Sequence, residues 1–449
     1  MLGELTPGLL SISTSPVWLA AHSAEDAMKI PSNALPQLQL TPTEEREILD
    51  KTDLMVHNAL LLEREFHRQG GRIDGKEWKE ITSVDNFYVY RQRRSAQGSS
   101  ERRRASMSYS STCTSTEEED MAATSRNYSP VMCAGFLEGT LDDFLFGSFD
   151  GDERSWKLRA AYMKDKFADS RIFSKIVRPT PQDPYRFVGV KWFAIEVPAI
   201  IDSFLYMRDT FVMESTGMAK DEDGVPYAYF LFHDYNHPQL PELTEFGIIR
   251  NRVSICFIAR QIAPDRIYIH ARGYVNVGGD VIRTVGLAVA GVSLASTANS
   301  IEASYGKKLS WLIAKTRDQR RLAQTQARLH SHACRSCQKG IGKLLSRSSV
   351  CHVCGFSFCS KCTVNRKIVI DVSSIELTSK ALSFCYGCVI QAKVYPAREI
   401  ALDTIVPSTM SRRDTASTLS RRDMGSRRDT VARTKSFDSW SPGKSLGAY

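Results

Sequence analysis

The chain has 449 residues, of which 42% are hydrophobic and 24% charged, and its formal net charge is +9. This composition is typical of a soluble globular protein of two or three domains and excludes a chain made mainly of disordered or membrane-spanning segments. The N-terminus lacks the basic region of a signal peptide, and the apolar run at 285–295 is shorter than the roughly 20 residues of a transmembrane helix. We therefore expect a cytoplasmic protein with reduced thiols.

The first predicted element follows an N-terminal segment, residues 1–40, that we expect to be flexible. Thr41, Pro42 and Glu44 have the pattern of an N-cap, a first-turn proline and a capping box. Apolar residues then recur at helical spacing until Gly70 and Gly71. The pattern predicts one amphipathic helix over 41–69.

A polar insertion interrupts the next region. NFYVYR at 86–91 predicts a strand, whereas residues 92–128 are rich in Ser, Thr and charge and have too few apolar groups to offset the entropy of ordering. We expect this insertion to be disordered. Within it, Ser106 follows Arg103 and Arg104 in an R-R-x-S pattern that favours phosphorylation.

From residue 129 the chain is rich in predicted strands. Two short helical stretches at 140–149 and 152–167 interrupt them, and a helix predicted over about 281–327 follows the last strand. The β segments are VMCAGFLEG, RFVGVKWFAIEV, DTFVMEST, YAYFLFHDY, NRVSICFIARQ and DRIYIHARGYVNV. We found no catalytic motif here, and HDYNH at 233–237 predicts an exposed turn, so we expect no enzyme.

These segments resemble START-like proteins, in which a curved antiparallel sheet grips one long late helix. GTLDDFLFG, KWFAIEVPAI, RDTFVMESTG and YIHARGYVNVGG carry the resemblance. It implies a START-like domain over 41–304 with an apolar cavity for a lipid or another apolar ligand. Two questions stay open. The interior either encloses a ligand or is filled by side chains as in any core, and Arg252, Arg260 and Arg272 face either the cavity or solvent.

Residues 305–333 are predicted to form a basic helical linker. Between 307 and 328 seven Lys and Arg residues accompany a single Asp. This excess of positive charge favours acidic partners, such as a negatively charged membrane surface.

Eight of the eleven cysteines form four C-x-x-C pairs in a short region. The pairs are Cys334/Cys337, Cys351/Cys354, Cys359/Cys362 and Cys385/Cys388. Each pair can place two thiolates on one turn, and two pairs complete a tetrahedral zinc site. We therefore predict two Zn²⁺ ions, whose binding would contribute the folding free energy that so small a segment lacks.

The spacing around the second and third pairs resembles the FYVE and FYVE-related zinc fingers. Cys351, Cys354 and Gly355 match the family's C-x-x-C-G, Phe358 matches its aromatic residue, and Arg347 lies four residues before the motif. The resemblance implies a cross-braced module over 334–390. In such a module the first and third pairs hold one zinc, and the second and fourth pairs hold the other.

The residues that grip a phosphoinositide in that family are largely replaced. Ser349 and Val350 occupy the positions of two histidines, His352 that of an arginine, and Ser383 that of another arginine. A weaker lipid contact remains as a hypothesis. Its candidate residues are Lys343, Leu344, Leu345, Arg347 and His352.

The C-terminal segment, residues 391–449, is predicted to be a disordered, basic, Ser/Thr-rich tail. It repeats S-R-R-D three times, and its candidate phosphorylation sites are Thr415, Thr430 and Ser436. A basic tail can associate with anionic lipid and be released by phosphorylation.

Together these features predict an α+β protein that combines a helix-grip domain with a two-zinc module. We expect a non-catalytic adaptor, cytoplasmic and peripherally bound to endosomal membranes through lipid or phosphoinositide. The first alternative is a basic zinc protein that binds nucleic acid, although nucleic acid is not the partner we expect, and the enzyme alternative is a RING-like ubiquitin ligase.

Overall fold

A computed structural model of the chain describes most of the two predicted domains. The described residues are 34–93, 128–165, 167–195, 207–278, 283–330, 333–341, 348–372 and 377–409. The predicted phosphorylation sites Ser106, Thr415, Thr430 and Ser436 lie outside these residues, as does almost all of the predicted insertion.

The N-terminal helix α1 spans Pro42–Arg68 and begins as predicted. The Thr41 side chain accepts from the Glu44 backbone N–H, and the Glu44 carboxylate accepts from the Thr41 backbone N–H, so both halves of the capping box are present. Val56 and Leu60 pack on the outer face of the sheet against Leu231 and Ile258. The apolar stripe of α1 therefore covers one side of the main sheet.

The main sheet has ten strands, antiparallel apart from one short parallel pair. Along the sheet the order is β1-β2-β3-β10-β9-β7-β6-β5-β4, with β8 beside β6. The strands are β1 (Trp78–Val84), β2 (Phe87–Gln92), β3 (Ser129–Leu137), β4 (Phe167–Val177), β5 (Phe187–Ile195), β6 (Arg208–Lys220), β7 (Pro226–Asp234), β8 (Ile249–Arg250), β9 (Arg252–Ala263) and β10 (Arg266–Asn276).

Helices cover the inner face of this sheet. They are α2 (Leu141–Ser148), α3 (Glu153–Met163), α4 (Arg283–Ala295) and α5 (Ser300–Lys315). α4 packs on β1 and β2, and α5 packs on α2, which contacts β7 and β9. One core of buried residues joins Val131, Phe230 and Ile269 of the strands to Leu145 and Ile301 of the helices. This arrangement is the helix-grip fold, and the predicted α+β fold class is confirmed.

The helix predicted over about 281–327 is interrupted at two places. A 3-10 turn at Ser296–Asn299 separates α4 from α5, and Thr316 separates α5 from α6 (Arg317–His330). By length and composition alone Thr284–Lys315 could cross a membrane, and it is the one such stretch within the described ranges. In the fold its Leu287, Ile301 and Leu309 are buried in protein cores, which accounts for its apolar character.

The cysteine-rich region forms two small hairpins followed by two helices. β11 (Ser348–Val350) pairs with β12 (Ser357–Cys359), and β13 (Thr363–Val372) pairs with β14 (Leu377–Cys385). Helices α7 (Tyr386–Val394) and α8 (Ala397–Thr409) follow.

Two predicted boundaries need correction. Residues 305–333 do not form a separate linker, because α5 carries Leu309 and Leu312 into the core of the cysteine module. Nor does disorder begin at residue 391, because Ile400, Ala401 and Ile405 of α8 are buried in the core of the helix-grip domain. The chain thus leaves this domain, forms the cysteine module and returns to cover α2.

Candidate metal centre

The eight paired cysteines gather into two groups of four. Cys334, Cys337, Cys359 and Cys362 form the first group, and Cys351, Cys354, Cys385 and Cys388 form the second. Within each group the four Sγ atoms lie within 4.8 Å of one another. The grouping is the alternating one that the family resemblance implies, which spacing alone could not have selected.

The sulfur separations fit a tetrahedral metal ion. The Sγ atoms of Cys337 and Cys359 are 3.7 Å apart, and those of Cys354 and Cys385 are 4.0 Å apart. Zn–S bonds of about 2.3 Å in a tetrahedron require sulfur atoms about 3.8 Å apart, whereas a disulfide needs about 2.05 Å. Four thiolates form a closed donor set of the kind that structural zinc sites use. The two groups are therefore compatible with two zinc ions.

The backbone around Cys334, in the first group, favours the thiolate form of this residue. Burial raises the pKa of Cys334, but hydrogen bonds from the backbone N–H groups of Cys337, Cys359 and Ser336 outweigh it and bring the pKa to about 6. A thiol that is ionised near neutral pH is the form that binds metal.

Gly355 shapes the turn of the second group. Its φ is +79°, and a Cβ at this position would lie 2.8 Å from the carbonyl oxygen of Arg320. Glycine is therefore required both for the left-handed conformation and for the close approach of α6. The sequence prediction of a sharp turn at this glycine agrees with this geometry.

Side chains at the junction of α5 and α6 hold the same turn from the other side. Thr316 Oγ1 donates to the Val353 carbonyl oxygen at 2.9 Å, and the Arg320 guanidinium donates to the His352 carbonyl oxygen. Sequence reasoning counted Arg320 only as part of a basic segment. Because its contacts come from tertiary packing, no local pattern could have assigned it this role.

Lys308 connects the metal centre to the helix-grip domain and was also missed. Its ammonium lies 2.7 Å from Asp143 of α2 and donates to the carbonyl oxygens of Lys393 and Tyr395 at the end of α7. The side chain is only 1% exposed. A cation at a helix C-terminus interacts favourably with the helix dipole. One buried charge therefore ties α2, α5 and α7 together.

His352 is the one predicted lipid contact within the described residues. The others, Lys343, Leu344, Leu345 and Arg347, lie outside them. The His352 Nδ1 atom lies 3.1 Å from the carbonyl oxygen of Ser383, so Nδ1 carries the proton that it donates there. In neutral His352 the remaining Nε2 can then only accept a hydrogen bond.

The described surface of the cysteine module is strongly basic. Between residues 333 and 394 the described residues include seven basic side chains, all of them exposed. The basic residues are Arg335, Lys339, Lys361, Arg366, Lys367, Lys380 and Lys393. Such a concentration of charge attracts anionic partners.

The interior of the helix-grip domain holds a group of buried charges. Lys191 lies 2.5 Å from Asp150 and 2.8 Å from Glu214, and Arg159 lies 3.4 Å from Asp150. Burial raises the pKa of Glu214 well above its usual range. These groups neutralise one another, as buried charges must.

The space beside these charges is small. It measures about 20 Å³ and is lined by Arg159, Ser148 and aromatic side chains that include Phe230 and Phe257. That is room for about one water molecule, whereas ligand pockets measure hundreds of Å³. Beside these charges, side chains fill the interior of the domain as in any packed core.

The other polar predictions for this domain fall on the outer face. Arg260 pairs with Glu63 of α1 at 3.2 Å, and Arg252 pairs with Asp234 at 3.1 Å. The prediction of an exposed turn at 233–237 is wrong for His233, which ends β7 and lies 2.8 Å from Ser254 Oγ. Neither Arg252 nor Arg260 points into the interior.

Comparison with known proteins identifies similar folds only. No family model matches the chain, and no curated protein matches it. Human STARD10 is similar over 60% of this chain and 81% of its own, with 11% identity and a TM-score of 0.33. Human StAR-related lipid transfer protein 5 is similar over 58% and 97%, with 12% identity and a TM-score of 0.35.

A STAR-related lipid transfer protein fragment from Xanthomonas axonopodis is similar over 51% of this chain and 96% of its own, with 14% identity and a TM-score of 0.29. At these identities and scores, we base the fold class on the strand order and register described above. The sheet and its helices thus have the START-like helix-grip architecture, and the cysteine module has two sites compatible with zinc.

Proposed function

We propose that this protein is a non-catalytic adaptor that binds two zinc ions and associates with anionic lipid surfaces through its zinc module. One observation carries the proposal: two four-cysteine sites lie in a module whose described residues include seven exposed basic side chains. Zinc would hold the module in shape, and basic residues near an anionic surface contribute about 1 kcal/mol each.

The basic hairpin β13–β14 is the central part of the proposed contact. Arg366 pairs with Leu382 and Lys367 with Ala381, and Lys380 lies opposite Ile368 on the neighbouring rung. By the alternation of strand residues, the ladder places Arg366 and Lys380 on one face of the hairpin and Lys367 on the other. All three side chains are exposed and available to anionic headgroups.

We expect broad recognition of anionic lipid, without strict selection of phosphatidylinositol 3-phosphate. His352 uses its Nδ1 proton on the Ser383 carbonyl, and the Ser383 hydroxyl donates to Asn365 at 2.8 Å. Neither side chain offers the paired guanidinium donors that bind a phosphate strongly. The module therefore resembles a FYVE finger in its frame, with a weaker headgroup site.

The lipid contact belongs on the zinc module for a second reason. The space beside Arg159 and Phe230 is about 20 Å³, too small for an acyl chain. We propose that this domain serves as the rigid body to which the module is fixed, through Lys308 and the shared helix α5. The location we expect is cytoplasmic, peripheral on membranes.

Flotation of the zinc-loaded full chain with vesicles tests this function. The vesicles contain phosphatidylcholine alone, phosphatidylcholine with phosphatidylserine, or a charge-matched amount of phosphatidylinositol 3-phosphate. We expect similar binding to both anionic vesicles, none to the neutral ones, and loss of binding after Arg366→Glu, Lys367→Glu and Lys380→Glu together.

A matched control carries the same charge change on the other domain. Arg72→Glu, Lys76→Glu and Lys79→Glu replace three exposed cations that lie just before and within β1. Equal loss in both triple variants, or binding to neutral vesicles, would overturn the proposal. If the chain binds RNA but binds none of the vesicles, the nucleic-acid alternative is supported instead.

A further inference from the structure

Helix α7 exposes an apolar stripe on the surface of the basic module. Tyr386, Ile390 and Val394 follow one another at intervals of four residues, and their exposed fractions are 52%, 60% and 74%. At about 100° per residue, the three side chains span about 80° of the helix circumference. Large apolar side chains seldom stay exposed together without a partner.

The opposite side of α7 already has its partners. Cys388 belongs to the second cysteine group, and Ala392 is 1% exposed within the core of the module. The last carbonyls of the helix accept hydrogen bonds from Lys308. The stripe is therefore not needed for the packing of the module, and it faces outward.

The residues beside the stripe leave room for a flat partner. Gly387 is exposed, and a Cβ placed on it would meet no atom within 4 Å. On the helix wheel Gly387 lies next to Val394, whereas Lys393 lies on the far side next to Tyr386. The open arc thus has an apolar centre and a basic border.

Basic side chains flank the stripe at both ends. Cys385 is the N-cap of α7 and pairs with Thr363 of β13. Lys361 lies two residues before Thr363 in the chain. Lys393 lies near the other end. Lysines near an apolar strip can meet anionic headgroups while the apolar side chains enter the acyl boundary.

We propose that the stripe Tyr386, Ile390 and Val394 is a membrane-insertion surface for anionic lipid. The inference rests on the proposed function and deepens it, because it places the inserting residues on α7 and not at the sequence-predicted Leu344 and Leu345, which lie outside the described residues. Charge complementarity selects this occupant: the module has seven exposed cations and one described acidic residue, which disfavours a second copy of the same basic surface.

The test uses the zinc-loaded full chain and vesicles of phosphatidylcholine and phosphatidylserine. We expect Ile390→Asp with Val394→Asp to lower the partition coefficient about tenfold or more. Gly387→Leu should raise it, because it adds an apolar side chain in open space beside the stripe. Two zinc ions per chain in every variant would show that the module is folded.

Leu54→Asp with Leu61→Asp is the matched control. These leucines are 50% and 46% exposed on α1, in the other domain, and their replacement should leave vesicle binding unchanged. If the α7 variant binds like the original chain while the β13–β14 variant does not, the insertion surface is overturned and the proposed function stands.

Two further outcomes would also overturn the proposal. A dimer in vesicle-free solution that the α7 substitutions convert to monomer would assign the stripe to a second copy of the chain; sedimentation velocity measures this. Absence of vesicle binding by the original zinc-loaded chain would overturn both the insertion surface and the proposed function.

Discussion

The helix-grip domain and the cysteine module are stabilised in different ways. In the domain, a ten-stranded sheet buries large side chains such as Trp192, Phe187 and Phe144 against helices. In the module, five of the thirteen buried core residues are cysteines of the two metal groups. The first can rely on the hydrophobic effect, whereas the second needs a metal to replace the missing core.

The comparison also shows that the two regions are not independent. Leu309 and Leu312 of α5 complete the module's core, while Ile301 of the same helix is buried in the core of the domain. α8 then returns from the module to the domain. Metal binding to the cysteine module should therefore also change the stability of the helix-grip domain.

Zinc removal is the prediction with the largest expected effect. Chelation should unfold residues 333–394, because structural zinc contributes roughly 10–16 kcal/mol to such modules. Hydrogen exchange should show complete loss of protection in β13 and β14 and a smaller loss in α5, with β9 and β10 still protected. Inductively coupled plasma mass spectrometry should find two zinc ions per chain before chelation.

Cys256→Ser is a suitable control for the metal ligands, because Cys256 is buried in the sheet and belongs to neither group. It should keep both zinc ions, whereas Cys351→Ser should not. Unchanged exchange of β13 and β14 after chelation would mean that the module does not depend on metal.

The connection through Lys308 should have the next largest effect. Lys308→Met leaves Asp143 buried without its cation, although Ser304 and Thr140 still donate to it. We expect a loss of about 2 to 4 kcal/mol in the free energy of unfolding, with zinc content unchanged. In calorimetry we expect two unfolding transitions for Lys308→Met and one for the original chain.

Lys315→Met is the matched control on the same helix. Lys315 is 62% exposed, forms a 3.6 Å surface pair with Asp403 and lies 5.2 Å from the centre of the Trp311 ring, so its loss should cost about 1 kcal/mol or less. Equal effects of the two substitutions would show that the buried charge does not connect the regions.

The smallest predicted effect is a pH dependence from Lys307. Its ammonium donates to the carbonyl oxygens of Phe146, Gly147 and Phe149, and burial lowers its pKa from 10.5 to about 7. Between these pH values the unfolded chain binds a proton that the folded chain lacks. Stability should therefore rise as pH increases from about 7 towards 10.5.

We expect a total gain of only about 1 to 2 kcal/mol, since the Lys307 side chain is partly exposed and well hydrogen-bonded. Urea denaturation at about pH 7 and about pH 9 should give a steeper pH dependence for the original chain than for Lys307→Met. Parallel pH profiles would contradict this assignment.

β1 and β4 are among the strands that the sequence did not predict, and they are the two edge strands of the main sheet. Every residue of β4 is only partly buried, and β1 has one buried residue, Trp78. Edge strands carry polar side chains on both faces, so the apolar runs that mark β5, β6 and β9 are absent from them.

The sequence by itself determined the elements whose chemistry is local. The capping box of α1 depends on residues that are neighbours in the chain. Four C-x-x-C pairs likewise predict metal ligands because each pair lies on one turn. Those features could be located before any fold was known.

Only the tertiary structure decided how the pieces are joined. The buried position of Lys308, the return of α8 to the helix-grip domain and the outward stripe on α7 depend on residues far apart in sequence. Apolar periodicity shows that a face will be buried but does not identify what will cover it. For Ile400 that cover is the domain core, whereas Ile390 on the preceding helix stays exposed.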